Sequence, residues 1–231
     1  MEILADPIWR PFPGLSDYAA TVSAMEAHVA DMAAGTAGEE IWLVEHPPVL
    51  TAGTSTTAGD LLQPGRFPIH DVGRGGRITY HGPGQRVVYP MLDLGRRGRD
   101  VRRYVAGLEA WAIAALADLG IDAGISDAGT GIWVRSGQGL AKIGAIGVRV
   151  RRWVSFHGLS LNLATDLDHF SAIVPCGIAD HGVARIVDMA PSAGMAELDL
   201  ALLNNLPVLM HSLSAVDAPR IKTLEEESDC R

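Results

Sequence analysis

Two segments of the chain carry apolar side chains with a helical period. Residues 17 to 34 show this pattern, with Ser16 or Asp17 in the N-cap position and Gly35 at the end. Residues 100 to 119 show it more clearly, since Asp100 is a capping residue and Gly120 ends the segment. The apolar face predicted for this second helix comprises Val101, Val105, Leu108, Ala112 and Leu116. Both segments are therefore predicted to be amphipathic helices.

Short apolar runs bounded by turn residues predict several strands. The stretch "EIWLVEHPPVLTAG" predicts a strand halted by Pro47 and Pro48, followed by a second short strand. Further strands are predicted in "QRVVYPML", in "WVSFHGLSLNLAT", and in "TGIWVR" and "LAKIGAIGVRVRR", which form a hairpin through the turn "SGQG". The segment "AELDLALLNNLPVLMHSLSAV" predicts a last helix, interrupted at Pro207. Since no repeat or linker is present, we expect one α+β domain over residues 1–231, with a mobile tail from about residue 216.

Composition narrows the functional classes. The chain has 231 residues, of which 48% are hydrophobic and 20% charged, and its net charge is −8. This balance is typical of a globular protein and argues against a nucleic acid partner. The N-terminus lacks a basic region followed by an apolar run, and no apolar stretch has the length of a membrane span. We therefore expect a cytoplasmic protein with reduced thiols and no membrane partner.

The two cysteines have different surroundings. Cys230 follows an acidic run near the C-terminus, whereas Cys176 lies in "IVPCGIADHG". A disulfide between them is disfavoured in a reducing compartment. Cys176 could be a buried apolar residue, a nucleophile activated by His181, or a zinc ligand together with His157, His169 and His181, although the close paired spacing of zinc ligands is missing.

Lysine is rare in this chain, which has 19 basic residues but lysine only at positions 142 and 222. Lys142 lies among small apolar residues in "GLAKIGAIG". It could be an ordinary solvent-facing lysine of a strand. Alternatively, it could supply a proton that can leave near neutral pH, which arginine cannot. A cation beside Cys176 would also lower the pKa of the thiol.

Residues 73 to 85, "GRGGRITYHGPGQ", combine five glycines with hydrogen-bonding side chains. The spacing matches neither a Walker loop nor a dinucleotide fingerprint. The stretch could be a rigid hairpin turn, but the clustered polar groups favour a binding loop.

Four motifs together resemble the lipoyl(octanoyl) transferase family: "RGGRITYHGPGQ", "AKIGAIGVRV", "SFHGLSLNL" and "IVPCGI". The resemblance covers residues 41 to 190 and keeps the family's order. It implies a fold similar to biotin and lipoate protein ligases, with a mixed β-sheet, a smaller sheet and packed helices. It also implies transfer of an octanoyl group from acyl carrier protein to a lysine of lipoyl domains, such as those of 2-oxoacid dehydrogenase complexes, without ATP or another cofactor.

The resemblance implies a role for each matched position. Cys176 corresponds to the nucleophile that carries the acyl group as a thioester, and Lys142 to the residue that lowers its pKa. The remaining matched positions correspond to acyl-substrate contacts: Arg74, Gly75, Gly76, Arg77, Ile78, Thr79, Tyr80, His81, Ala145, Ile146, Gly147, Gly158, Leu159 and Ser160. The alternatives are an ATP-dependent ligase, which would need no cysteine, and an acyl-carrier-binding protein without catalysis.

Arginines are concentrated in "RRGRDVRRY", residues 96 to 104. This segment could simply be a solvated helix start. It could also dock an acidic carrier protein by electrostatic steering, with Arg149, Arg151 and Arg152 extending the same patch.

Overall fold

The computed structural model describes residues 6–137, 139–174, 181–214 and 218–225. Cys176 and Cys230 lie outside these ranges. Three α-helices are present in the described part: α1 Tyr18–Ala34, α2 Val101–Asp118 and α3 Met195–Ser214. The strands are β1 Ile8–Leu15, β2 Glu40–Glu45, β3 Val49–Ala52, β4 Ile69–Asp71, β5 Thr79–His81, β6 Gln85–Met91, β7 Ala123–Gly124, β8 Ile132–Ser136, β9 Gly139–Arg151, β10 Val154–Asn162 and β11 Gly182–Val183.

The strands form one large mixed sheet and one small sheet. The large sheet has the order β1-β2-β6-β10-β9-β8-β7, and β11 pairs with β9. Strands β1 and β2 are parallel, as are β9 and β11, whereas the other pairs of this sheet are antiparallel. The small sheet has the order β4-β3-β5. This architecture confirms the predicted α+β class with two sheets, and the predicted β8–β9 hairpin.

The large sheet separates two apolar cores. On one face, Met25 and Val29 of α1 pack with Trp42, Val87 and Tyr89. On the other face, α2 and α3 cover a larger set of buried side chains that includes Ile41, Leu43, Val88, Leu159 and Leu161. Neighbouring residues such as 87 and 88 point to opposite cores because side chains alternate along a strand.

Both predicted amphipathic helices begin and end where the sequence indicates. The side chain of Asp17 accepts a hydrogen bond from the Ala20 N–H at 2.8 Å, and Gly35 ends α1 with φ of 77°. Asp100 caps α2 in the same way through the Arg103 N–H. Such a cap contributes about 1 kcal/mol.

The predicted apolar face of α2 is only partly correct. Leu108, Ala112 and Leu116 are buried as expected, but Val101 is 38% exposed. Val101 lies in the first turn, next to the exposed Arg102, and so precedes the part of the helix that packs on the core. The largest buried side chains of this helix are instead Tyr104 and Trp111.

The predicted interruption of the last helix is wrong, because α3 continues through Pro207 without a break. Proline inside a helix costs about 3 kcal/mol, since it removes one backbone N–H and clashes with the preceding turn. Packing on α2 offsets this cost: Leu202, Leu206 and Leu209 are all buried. The carbonyl that loses its partner belongs to Leu203, which is 41% exposed and can be hydrated.

The segment 218–225 contacts the large sheet. Leu224 is buried against Trp133 and Leu140, and Lys222 forms an ion pair with Asp122 at 2.6 Å. The mobility of the C-terminal tail stays a prediction. Within the described ranges, no helix has both the length and the apolar character needed to cross a membrane.

Candidate active site

A cavity of about 250 Å³ opens where β5, β6, β9 and β10 meet the first turn of α1. This volume lies just below the usual range for ligand pockets, roughly 300–1,000 Å³, and so suits a small ligand. Its wall combines aliphatic and glycine surfaces with a few polar groups. The lining residues are Tyr18, Arg74, Gly76, Arg77, Thr79, His81, Val87, Tyr89, Ala128, Gly129, Thr130, Lys142, Ala145, Ile146, Gly147, His157, Gly158, Leu159 and Ser160.

The guanidinium of Arg74 organises the glycine-rich loop from inside. Its Nη1 donates to the carbonyls of Gly75 and Arg77, both at 3.0 Å. Its Nη2 donates to the carbonyl and the hydroxyl of Thr51, at 2.8 and 2.7 Å. Arg74 is buried, so these bonds replace the water that the charge would otherwise need. The loop is therefore held against β3 by one side chain.

Glycine is required around Arg74 because the backbone approaches so closely. A Cβ on Gly53 would lie 2.3 Å from the Gly76 carbonyl oxygen and 2.7 Å from Arg74 Nη1. A Cβ on Gly147 would lie 2.8 Å from Arg74 Cδ, and one on Gly158 would lie 2.2 Å from the Val88 carbonyl oxygen. Gly147 and Gly158 are directly paired across β9 and β10. Two neighbouring strands thus lack side chains at the cavity.

Lys142 enters the cavity from β9 and is only 7% exposed. Its Nζ donates to the Thr130 carbonyl at 2.9 Å and lies 4.7 Å from the centre of the Trp133 ring. The predicted alternative of a solvent-facing lysine is therefore wrong. The reason is the alternation of β9, which points Lys142 towards the cavity while β8 and β11 pair on either side of it.

A buried carboxylate of α2 supports the turn that holds Lys142. Glu109 Oε1 accepts a hydrogen bond from the Gly131 N–H at 3.2 Å, next to the carbonyl of Thr130 that holds Nζ. Burial raises the pKa of Glu109, while the Gly131 N–H and the charge of Lys142 oppose the rise. The carboxylate thus fixes the turn from behind the sheet.

Two neutral imidazoles line the cavity. Burial lowers the pKa of His81 to about 3; the neighbouring His46 and Arg74 add to this effect, and the hydrogen bond to Gln85 opposes it. Burial and the charges of Arg74 and Arg149 likewise lower the pKa of His157 to about 3. Both rings are therefore uncharged near neutral pH.

His157 reaches the cavity through an unusual backbone conformation. Its φ is 55°, in the left-handed region that only glycine visits readily. Its ring stacks on Phe156 at 5.2 Å and meets Tyr89 edge-on at 6.1 Å, on the α1 face of the sheet. A regular strand would put residues 156 and 157 on opposite faces, so this local strain turns the imidazole to the cavity.

Most of the predicted substrate contacts line this cavity, but Gly75, Ile78 and Tyr80 are not among its lining residues. Ile78 and Tyr80 instead pack with Leu50 and Phe170 under the small sheet. Gly75 donates its N–H to the Val148 carbonyl at 3.0 Å and so ties the loop to β9. Contact of the lining residues with substrate stays a prediction.

Other cavity residues were missed in the sequence. They are Tyr18, Val87, Tyr89, Ala128, Gly129 and Thr130. A signal existed for residues 128 to 130, because "AGTG" is a glycine-containing turn immediately before a strand. The side chains of residues 87 and 89 point to the same face of their strand. No local feature of the sequence, however, shows that this face borders the cavity.

The segment that contains Cys176 is anchored at both described ends. Before it, the Val174 N–H donates to the Asp60 carbonyl at 2.8 Å. After it, Val183 pairs with Lys142, and the Ala184 N–H donates to the Lys142 carbonyl at 3.0 Å. His181, the other proposed partner of Cys176, meets the Trp133 ring edge-on at 5.3 Å.

The histidines considered as zinc ligands with Cys176 lie in different parts of the structure. His169 Nδ1 lies 2.7 Å from the Tyr80 hydroxyl, under the small sheet, whereas His157 lines the cavity. Within the described ranges, no group of three potential metal-ligating side chains is present.

Comparison with known proteins adds independent information. Residues 17–206 match the family model of the lipoyl protein ligase A/B catalytic domain. The chain belongs to this family. The match includes all of the described cavity residues.

Curated members of the family are similar over almost the whole chain. An octanoyltransferase of Rhizorhabdus wittichii is 57% identical over 214 residues, which cover 92% of this chain and 96% of that protein. One of Sphingopyxis alaskensis is 54% identical over 218 residues, covering 94% and 100%. The resemblance inferred from the four motifs is thereby confirmed.

A solved structure has a similar fold. It is the bi-partite lipoate protein ligase of Thermoplasma acidophilum, described with its E2 lipoyl domain. Its TM-score is 0.66 at 16% identity, and the match covers 96% of this chain and 88% of that one. The ligase-like fold expected from the motifs is therefore confirmed.

The turn at Gly131 offers a test of how Lys142 is held. A Cβ at Gly131 would lie 2.8 Å from the Gly144 carbonyl oxygen and 3.2 Å from Lys142 Cε, and φ there is 135°. We expect Gly131→Ala to lower the free energy of unfolding by about 1–3 kcal/mol. We also expect it to slow octanoyl transfer on the order of 10²-fold, because the amine is displaced. Urea denaturation and initial rates measure the two effects.

The matched control is Gly137→Ala. No heavy atom lies within 4 Å of a Cβ at Gly137, and φ there is not in the left-handed region. This variant should keep both stability and rate. A Gly131→Ala protein with wild-type kinetics would show that Lys142 does not depend on this turn.

Proposed function

We propose that this protein transfers an octanoyl group from the thioester of an acyl carrier protein to a lysine of a lipoyl domain, with Cys176 as the covalent carrier. The observation that supports this most strongly is the buried amine of Lys142 in the wall of a cavity that combines aliphatic and glycine surfaces with a few polar groups. Octanoyl transfer is the activity named for the curated relatives.

The anchors of the Cys176 segment support the pairing of Cys176 with Lys142. Val174 is bonded to Asp60, which forms an ion pair with the cavity residue Arg77. On the other side, Val183 is paired with Lys142 itself. Both described flanks of the segment therefore border the site.

The chemistry follows from the two groups. The Cys176 thiolate attacks the thioester carbonyl of the carrier, and the carrier thiolate leaves with a proton from Lys142. The amine of the acceptor lysine then attacks the acyl-enzyme and gives its proton to neutral Lys142, and the Cys176 thiolate leaves. One thioester replaces another before the more stable amide forms, so no ATP is needed. Lys142 thus acts first as general acid and then as general base.

Exposed arginines support an acidic carrier as the donor. Arg96, Arg99 and Arg102 are exposed, as are Arg151 at the end of β9 and Arg152 in the β9–β10 turn. The β9–β10 turn contacts the chain segment that precedes α2. The Leu94 N–H donates to the Trp153 carbonyl at 2.7 Å, and the Arg99 guanidinium lies 5.8 Å from the Trp153 ring. We call these five arginines the basic patch. In a chain of net charge −8 it would attract an acidic surface.

Not every arginine of the region belongs to this patch. Arg97 is buried in an ion pair with Glu39. Arg149 forms an ion pair with Glu26 at 3.4 Å and lies over the Phe156 ring. Both therefore have structural partners within the chain.

The covalent intermediate is tested by intact mass. Incubation with an octanoyl thioester and no ATP should add one octanoyl group to the wild-type protein. Cys176→Ser should gain none and should lose transfer, because a hydroxyl ionises far less readily than a thiol. Cys230→Ser is the matched control and should behave as wild type. Transfer that required ATP would indicate a ligase, and binding of the carrier without any adduct would indicate a non-catalytic carrier-binding protein.

The proton-transfer role of Lys142 is tested by Lys142→Arg. Arginine keeps the positive charge but does not give up a proton near neutral pH. We expect a loss of about 10²–10⁴-fold in transfer to the amine, and a smaller loss in acylation of the enzyme. Single-turnover rates of the two half-reactions measure this.

Lys222→Arg is the matched control, since Lys222 is paired with Asp122 outside the cavity and should tolerate the change. Near-normal rates of Lys142→Arg in both half-reactions would reduce Lys142 to an electrostatic partner of Cys176. His81 or His181 would then be the better candidate for the base.

Docking of the carrier is tested by reversing one charge of the basic patch. Arg102→Glu should raise the Michaelis constant for octanoyl-carrier protein about 3- to 10-fold at low salt, and less at high salt. It should leave octanoyl-pantetheine unaffected, because this small donor has no acidic surface. Arg220→Glu makes the same change of charge outside the patch and serves as control. Equal effects on both donors would contradict docking.

A further inference from the structure

A buried chain of polar groups leads from the cavity to β11. His81 Nδ1 lies 2.6 Å from Gln85 Oε1. Gln85 Nε2 donates to the Tyr80 carbonyl at 3.2 Å and to Asn162 Oδ1 at 3.0 Å. Asn162 Nδ2 donates in turn to the Ala184 carbonyl at 3.0 Å. The chain thus joins β5, β6 and β10 to the residue that follows β11.

Two backbone carbonyls fix the direction of every bond in this chain. Carbonyl oxygens only accept, so the amide nitrogens of Asn162 and Gln85 must face Ala184 and Tyr80. The amide oxygen of Gln85 therefore faces His81. Since an amide oxygen is also only an acceptor, His81 Nδ1 must carry the proton. In a neutral ring this leaves Nε2 as a bare lone pair.

The surroundings keep the ring neutral and turn its other edge towards the cavity. The charged and titratable groups that face His81 are His46 of the β2–β3 connection, Arg74 of the glycine-rich loop, His157 of β10 and Tyr18 of α1. Among the described residues, none of the groups that face His81 is a carboxylate that would stabilise an imidazolium. Because Gln85 occupies the Nδ1 edge and His81 lines the cavity, the Nε2 edge is the one available to a ligand.

We propose that Gln85 and Asn162 are positioning residues that hold His81 in the Nδ1–H tautomer, so that its Nε2 accepts a hydrogen bond from a substrate N–H group. This inference rests on the proposed function. In that reaction N–H groups come from two sources, the amides of the pantetheine arm of the donor and the amine of the acceptor lysine. The chain also ends beside Lys142, whose carbonyl accepts from the Ala184 N–H at 3.0 Å. The network that fixes the tautomer is thus connected through Ala184 to the backbone of Lys142.

The tautomer is read directly by nitrogen NMR of protein labelled with ¹⁵N-histidine, with His81→Gln used to assign the signal. We expect His81 to show a protonated Nδ1 and an unprotonated Nε2 from pH 5 to 8. Gln85→Leu should lose this signature, because the acceptor opposite Nδ1 is gone. A protonated Nε2 in the wild type, or an unchanged tautomer in Gln85→Leu, would overturn the proposal.

Rates of the two half-reactions, measured separately, distinguish whether the N–H group that binds His81 Nε2 belongs to the donor or to the acceptor lysine. A lost hydrogen bond of this kind should slow the affected step of Gln85→Leu about 10- to 100-fold. Slower acylation by octanoyl-pantetheine would identify the amides of the donor, and slower transfer from the acyl-enzyme to a lipoyl domain would identify the amine. If Gln85→Leu kept wild-type rates in both steps, a role of His81 Nε2 as hydrogen-bond acceptor would be refuted.

The conservative variant Gln85→Glu separates positioning from general structural support. Its carboxylate still accepts from His81 Nδ1, but it cannot donate to the Tyr80 carbonyl and to Asn162 Oδ1 as Gln85 Nε2 does. This loss is the same at every pH, whereas the negative charge also raises the pKa of His81, because it favours the imidazolium. The affected step should therefore fall as the pH drops through the raised pKa and recover above it. A uniform loss at every pH would show a merely structural role and contradict the proposal. The pH profile of Gln85→Glu and the NMR signature of the wild type therefore test the positioning role of Gln85 even if Gln85→Leu does not fold.

Asn205→Leu is the control for loss of a side-chain amide. Asn205 donates to Asp118 at 2.6 Å and to the Ala201 carbonyl at 2.9 Å, on α3 and away from the cavity. Its removal should leave the tautomer and both rates unchanged. If the wild type forms no acyl-enzyme, the proposed function fails, whereas the NMR signature of His81 still tests the network by itself.

Discussion

The site depends on the hydrogen bonds that the buried guanidinium of Arg74 donates to the surrounding backbone. This side chain binds the carbonyls of its own loop and of β3, and it is large enough that Gly53 and Gly147 cannot carry a Cβ beside it. A buried charge without such partners would cost several kcal/mol, so the loop has few alternative conformations. Its charge also helps to keep the cavity imidazoles of His81 and His157 neutral.

This constraint explains how one cavity can be both apolar and reactive. Glycines on the paired strands β9 and β10 remove side chains where a slender acyl group would need space. Polar groups remain, and two of them are held by backbone partners: Lys142 by the Thr130 carbonyl, and His81 through amides that end on the carbonyls of Tyr80 and Ala184. Backbone anchors do not rotate, so the polar atoms keep fixed directions before any substrate binds.

The two largest departures from local sequence rules have different origins. Pro207 lies inside α3 because packing against α2 outweighs the lost hydrogen bond, which is a matter of stability. His157 adopts a left-handed conformation although the regular alternative would place its ring in the opposite core. The strain at His157 therefore concerns the shape of the site.

The sequence by itself determined the helices with their caps, the main strands, the family, and the positions whose chemistry is unusual, because these depend on periodicity, turn residues and motifs that are local in the chain. It did not determine that Gly75, Ile78 and Tyr80 support the loop while Tyr18, Tyr89 and Thr130 line the cavity. Nor did it reveal the support of Lys142 by Glu109 or the direction of the bonds at His81. These features join residues that are far apart in the chain, and only the packing of α1, α2 and the two sheets decides which side chains meet and which faces they present.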